Sequence, residues 1–147
     1  MTPHQARAAV VAEALTWLGT PWAHAQRVKG AGVDCANFVI GAYSGAGVIR
    51  AFDPPPYPRD WHVHKDEEWF LRLMPGFPAR PIEEAQAGPA DLILFKIGRV
   101  FSHAAIMLDW PLGIHAAVNE GAVVRCNLDR DVGLTSGPRR YFTHEDW

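Results

Sequence analysis

Ala90-Asp91-Leu92-Ile93-Leu94-Phe95-Lys96 and, a few residues on, Ser102-His103-Ala104-Ala105-Ile106-Met107-Leu108 decide the fold class. After Pro89 the apolar pattern changes from helical spacing to short, β-prone runs separated by turn residues. Strands are predicted over residues 92–96, 103–108, 114–118 and 122–127. Within the second, His103, Ala105 and Met107 share one face and Ala104, Ile106 and Leu108 the other, because side chains alternate across a strand.

Upstream of these strands the period is helical. Thr2-Pro3-His4-Gln5 supplies an N-cap hydroxyl, a proline at the first helical position and a glutamine three residues after the cap, a capping-box start. Val10, Val11, Ala14, Leu15 and Leu18 then form an apolar stripe that Gly19 and Pro21 end. A second helix is predicted from Cys35, capped by the Asp34 carboxylate and broken around Ser44-Gly45. The prolines at 54, 55, 56 and 58 imply an extended surface loop, and Asp66-Glu67-Glu68 ahead of Trp69, Phe70, Leu73 and Met74 reads as the acidic first turn of a short helix. Helices lead and strands follow. The expected class is α+β, with N-terminal helices packed on one face of a C-terminal antiparallel sheet.

The chain has 147 residues, 48% of them hydrophobic, enough for one domain spanning 1–147 that buries roughly 68–70% of its unfolded surface. Fourteen Lys and Arg against sixteen Asp and Glu, a net charge of −2, provide no basic field for a nucleic-acid partner. The apolar runs are far shorter than the ~18 residues of a membrane span, and Met1-Thr2-Pro3-His4 opens no signal peptide. A cytoplasmically made product without membrane insertion is expected. The two cysteines read as free thiols.

Cys35, at a helix start, faces the positive end of the backbone dipoles, an arrangement that lowers a thiol's pKa and offers N–H groups to an oxyanion. Its alternative is an ordinary buried cysteine that begins a core helix. His103 and His115 fall on neighbouring antiparallel strands, directly or diagonally across from each other. A thiol at a helix start with two strand histidines fits a nucleophile, a base and a residue that orients the base. The alternative for each histidine is a satisfied structural role. Zinc held by Cys35, His103 and His115, or by the pair His62 and His64, lacks any CxxC or HExxH unit to support it. No metal or other cofactor is expected. Cys126 reads as a packing residue.

These segments together resemble the NlpC/P60 superfamily of papain-like cysteine peptidases, which cleave peptide stems of bacterial cell walls. Leu18-Gly19-Thr20-Pro21-Trp22 is similar to the family's "LGTPY" entry segment, and Gly32-Val33-Asp34-Cys35-Ala36-Asn37-Phe38-Val39 to its "G-x-DCSGFV" nucleophile segment. Ala90 to Phe95 stands in for "GDLVFF", Ser102 to Ile106 for the "SHVGIY" base strand, and Ile114-His115-Ala116 for the "IHA" strand. The resemblance implies Cys35 as nucleophile, His103 as general base and His115 as its orienter. It implies a cysteine hydrolase acting on peptidoglycan stem peptides. The proline-rich insertion, with Trp61, His62, His64 and Trp69, looks closest to the phage-tail and gene-transfer-agent branch, whose members act as part of phage-like tails.

Three positions depart from the family pattern: Trp22 replaces a tyrosine, and Ala36-Asn37 replace Ser-Gly. In the family, that tyrosine, the aspartate before the cysteine and the serine after it bind a free amine of the substrate. The resemblance therefore places Trp22, Asp34 and Ala36 at the substrate, with only Asp34 retaining the family's polar group. Two alternatives stand beside the hydrolase: a tail structural or assembly protein with a degenerate site, and an amidase or acyltransferase acting on another substrate. The permuted lipid-processing branch places its histidine segment before the cysteine, whereas here Cys35 comes first.

Overall fold

The computed structural model describes residues 1–57, 76–97 and 100–147. The helix expected around 66–74, with Trp61, His62, His64 and Trp69, lies outside the described residues. Helix α1 spans Pro3–Thr16 and begins on the predicted capping box: Gln5 N–H donates to Thr2 Oγ1 at 3.1 Å, and Thr2 N–H to Gln5 Oε1 at 2.9 Å. It ends at Trp17, before Leu18. Gly19 follows with φ of 83°, a value that favours glycine. From there residues 19–22 run beside strand β7 (Ala122–Asn127), tied by Gly19 N–H to Val123 O at 2.9 Å and Trp22 N–H to Gly121 O at 2.8 Å. A small antiparallel pair, β1 (Arg27–Val28) and β2 (Gly32–Val33), leads into helix α2 (Cys35–Gly45).

The main sheet holds six strands where the sequence reading expected four. Besides β7 these are β3 (Ala79–Ile82), β4 (Leu92–Ile97), β5 (Val100–Met107), β6 (Leu112–Ala117) and β8 (Arg139–His144). Their order is β3-β8-β4-β5-β6-β7, with every neighbouring pair antiparallel. The missed strand β8 sits inside the sheet, so its apolar residues are buried alternately on both faces: Tyr141 on one and Phe142 on the other. Two arginines at its start conceal that pattern from the sequence.

The two faces carry different cores. Leu92, Leu94, Ala104, Ile106, Ile114, Ala116, Val123 and Phe142 meet α1 and α2 in the larger one. Ile93, Phe95, Ala105, Met107, Cys126 and Tyr141 form the smaller one, together with Leu128 and Leu134, the latter from the short helix α3 (Val132–Thr135). Each large apolar side chain fully buried in this way contributes about 1.5–3 kcal/mol. The helices approach each other closely at Gly41, where a Cβ would lie 2.6 Å from Trp17 Cζ2. Helix α1 is also fixed to the sheet by an ion pair: Arg7 Nη1 lies 2.9 Å from the fully buried Asp91 carboxylate, and Nη2 donates to Thr143 Oγ1 at 3.0 Å.

Candidate active site

Helix α2 begins at Cys35 because Asp34, extended at φ −102° and ψ −179°, turns its carboxylate back over the first turn. Asp34 Oδ1 accepts from Asn37 N–H and from Asn37 Nδ2, each at 3.0 Å. Asp34 Oδ2 accepts from Ala25 N–H at 2.8 Å and from the Tyr57 hydroxyl. Four donors fill the acceptor capacity of one carboxylate. Behind it, Arg27 Nη1 donates to Asn37 Oδ1 at 2.8 Å and to Phe52 O at 3.0 Å, while Nη2 meets Asp53 Oδ1 at 2.9 Å. The His24 ring stands edge-on to Tyr57 at 5.2 Å between centroids. The described part of the proline run, expected to be an extended surface loop, is thus fastened to the helix start through Tyr57 and Asp53.

Helix α2 packs on β5 and β6, and this packing brings the thiol to the strand that carries His103. The backbone N–H groups of Ala104, Ala36 and Cys35 itself hydrogen-bond the Cys35 sulfur. The sulfur is therefore one peptide from His103. Strands β5 and β6 pair at Ile106–Ile114 and Met107–Gly113; continuing that register sets His103 and His115 diagonally on one face. There His103 Nε2 lies 2.7 Å from His115 Nδ1, with ring centroids 4.9 Å apart. Phe95, opposite His103 on β4, places its ring 5.9 Å from the imidazole.

The electrostatics correct one sequence expectation. A helix start was expected to lower the thiol's pKa, yet Cys35 is pushed up to about 12, first by burial and then by the charge of Asp34, with the three N–H groups pulling the other way. His103 is lowered to about 3 by burial and by its neighbour His115. Burial lowers His115 to about 4 against an opposing pull from Asp131. At neutral pH the resting site therefore holds a thiol and two neutral imidazoles. The His–His bond carries one proton. When it resides on His103 Nε2, His103 Nδ1 keeps a lone pair and can act as a base.

A cavity of about 410 Å³ opens beside the pair, lined by His103, His115, Asn119, Glu120, Asp131 and Leu134 among others. Trp22 is partly buried against the larger core, with a backbone bridge to Val33. Asp34 is buried with its carboxylate filled, and Ala36 is buried within the larger core at 5% exposure. Ala36 therefore offers a substrate little surface. Cys126 is 5% exposed in the smaller core and is pushed up to about 12 by burial. Sequence reasoning did not find Arg27, Asn37 or Tyr57. The one available signal was an aromatic residue set between prolines. Among the described residues, no group of three His, Cys, Asp or Glu side chains is placed to hold a metal ion, and no helix is long and apolar enough to cross a membrane.

No family model and no curated protein matches the chain. Solved structures do. The NlpC/p60 domain of the peptidoglycan hydrolase SagA is 21% identical with a TM-score of 0.60, over 91% of this chain and 96% of that one. The peptidoglycan hydrolase RipB from Mycobacterium tuberculosis is 21% identical with a TM-score of 0.63, over 97% of this chain and 65% of that one. The P60 domain of an antigen from M. avium subspecies paratuberculosis is 20% identical with a TM-score of 0.60, over 98% of this chain and 97% of that one. With α1 and α2 on one face of a six-stranded antiparallel sheet and these neighbours, the chain has the NlpC/P60 fold.

Proposed function

We propose that the protein is a cysteine hydrolase that cleaves amide bonds in the stem peptides of bacterial peptidoglycan. The observation that carries this reading is the 2.7 Å His103–His115 hydrogen bond on a strand whose next N–H, that of Ala104, meets the Cys35 sulfur. Likeness to structures of proteins described as peptidoglycan hydrolases supports the wall as substrate.

In this reading His103 Nδ1 takes the thiol proton as Cys35 Sγ attacks the carbonyl carbon, so the thiolate forms with attack and not before it. A thiol pushed up to about 12 beside a neutral imidazole suits that order. Once the sulfur is bonded to carbon, the backbone N–H groups of Cys35 and Ala36 that meet it in the resting site are released to the oxyanion. His103 returns the proton to the departing amine, the C–N bond breaks, and a thioester remains. Water, deprotonated by His103, then releases the acid and restores the thiol. His115 accepts the His103 Nε2–H, fixing its tautomer and stabilising the imidazolium that forms.

Trp22, partly buried, keeps surface for the substrate, and the cavity beside His103 and His115 offers room for another part of it. A substrate amine would have to displace one of the four donors on Asp34, which argues against a free amine as the main recognition element. The proposed setting is a phage-like tail, on the strength of the proline-rich insertion. The reading is tested by mass spectrometry of purified wall fragments incubated with the protein and with a Cys35→Ala control. New stem-peptide ends with the first protein alone are expected. Identical fragments from both would overturn the hydrolase and favour the non-catalytic tail protein.

A further inference from the structure

Tyr57 belongs to a segment with no chemical role in the sequence reading, yet its hydroxyl reaches the cap of the nucleophile's helix. The geometry is specific. Asp34 Oδ1 is taken by two donors from Asn37, and Asp34 Oδ2 by Ala25 N–H and the Tyr57 hydroxyl. Three of those donors come from the helix turn or the adjoining backbone, and Tyr57 alone arrives from a distant segment. Asn37 Nδ2 also lies 3.4 Å from the Tyr57 hydroxyl. The ring is held edge-on by His24, and the Phe52 carbonyl and Asp53 carboxylate just before it are both held by Arg27. The charge of Asp34 bears directly on the adjoining thiol, since an anion next to a nascent thiolate opposes its formation.

We propose that Tyr57 is a positioning residue of the nucleophile: by donating its O–H to Asp34 it completes that carboxylate's set of donors and weakens the repulsion a less saturated Asp34 would exert on a Cys35 thiolate. Arg27 contributes from behind, because its guanidinium polarises the Asn37 amide that donates to Asp34. Among the described residues, the charged and titratable groups that bear on the sulfur are Asp34 and Tyr57, with Arg27, Asp53 and the His24 ring behind them and His103 next to Ala104 on β5. Of these, Tyr57 is the one whose hydroxyl can be removed without disturbing the base or the helix cap.

The inference rests on Cys35 being the reactive thiol of the proposed hydrolase, and the experiment reads that thiol without any wall substrate. Tyr57→Phe keeps the ring against His24, and the backbone donors of Asn37 and Ala25 keep the cap. Below its inflection a thiol reacts in proportion to its thiolate fraction, so half a pKa unit is about threefold in rate. Alkylation of Cys35 by neutral iodoacetamide at pH 7 should slow by about threefold in the variant. Anionic iodoacetate should slow by more, since the exposed lone pair of Asp34 also repels the reagent. An unchanged or faster rate with iodoacetamide, or equal slowing with both reagents, would overturn the proposal in favour of a packing or access role. Normal alkylation and the expected Tyr57 effect in a protein that leaves wall fragments intact would count against the hydrolase reading alone.

Discussion

Asp34 accepts four hydrogen bonds at the start of α2, and Asn37, one of the two residues that donate through side chains, is itself held by Arg27. Across the site, His103 and His115 share one hydrogen bond, and burial does the rest. A network of several bonds keeps its geometry when one is lost, because the remaining donors still satisfy the buried charge. A pair with one bond has no such reserve. The helix start should therefore tolerate change in activity terms while registering it in stability. The histidine pair should behave the other way round.

The largest effect is expected at the pair. His103→Ala removes the proposed base and should lower turnover by about 100-fold or more, with the protein still folded by circular dichroism. Near wild-type release of stem-peptide ends by this variant would dissolve the comparison altogether. His115→Ala should cost less, by about 10- to 100-fold, since the loss of an acceptor for the partly buried His103 Nε2–H is worth about 1–3 kcal/mol. His115→Asn should recover part of that turnover, because its amide oxygen can still accept. If the alanine and asparagine variants have equal turnover, His115 is not an orienter.

Acid sharpens the contrast next. Both imidazoles sit below their ordinary value of 6.5, at about 3 and about 4, because burial disfavours the cation. Below pH 6.5 the unfolded chain binds protons that the folded pair refuses, so stability rises with pH through this window. The contribution is fully present above 6.5 and is lost as pH falls toward 4. The melting temperature should fall from pH 7 to pH 5 in the wild type, and fall less in His115→Asn and in His103→Ala. Parallel curves for all three would mean that the pair is not buried neutral.

The same division marks what the sequence could tell. Helix α1, the start of α2 at Cys35 and the strand assignments of His103 and His115 were legible because capping residues and alternation are local signals. Strand adjacency placed the two histidines directly or diagonally across from each other, and the register of β5 and β6 makes the arrangement diagonal. By contrast, Tyr57 and Asp34 are 23 residues apart, and Arg27 meets a carbonyl at Phe52; such contacts depend on how a loop is laid down, which no periodicity encodes. The thiol's raised pKa was missed for a related reason. Position at a helix start is visible in sequence, but the desolvation of the partly buried thiol and the buried anion beside it, which outweigh that position, are tertiary facts. Ala90, in a place where the resembling family has glycine, adopts φ of 73°, so the backbone demand there outlived the residue that suits it best.

The smallest expected change in activity comes from Asn37→Ala, on the well-satisfied side. The substitution removes the Nδ2 donor to Asp34 and the acceptor of Arg27 Nη1, but it leaves Asn37 N–H, Ala25 N–H and the Tyr57 hydroxyl on the carboxylate. Arg27 also keeps Phe52 O and Asp53. Stability should drop by about 1–3 kcal/mol, the usual cost of a buried polar group left short of a partner. Turnover per folded molecule should stay within about threefold of wild type, because half a pKa unit or less is expected at the thiol when three donors remain on Asp34. Chemical denaturation and wall digestion on the same preparation measure both quantities together. A loss of turnover as deep as that of His115→Ala, with stability unchanged, would reverse the comparison and make Asn37 part of the reacting machinery.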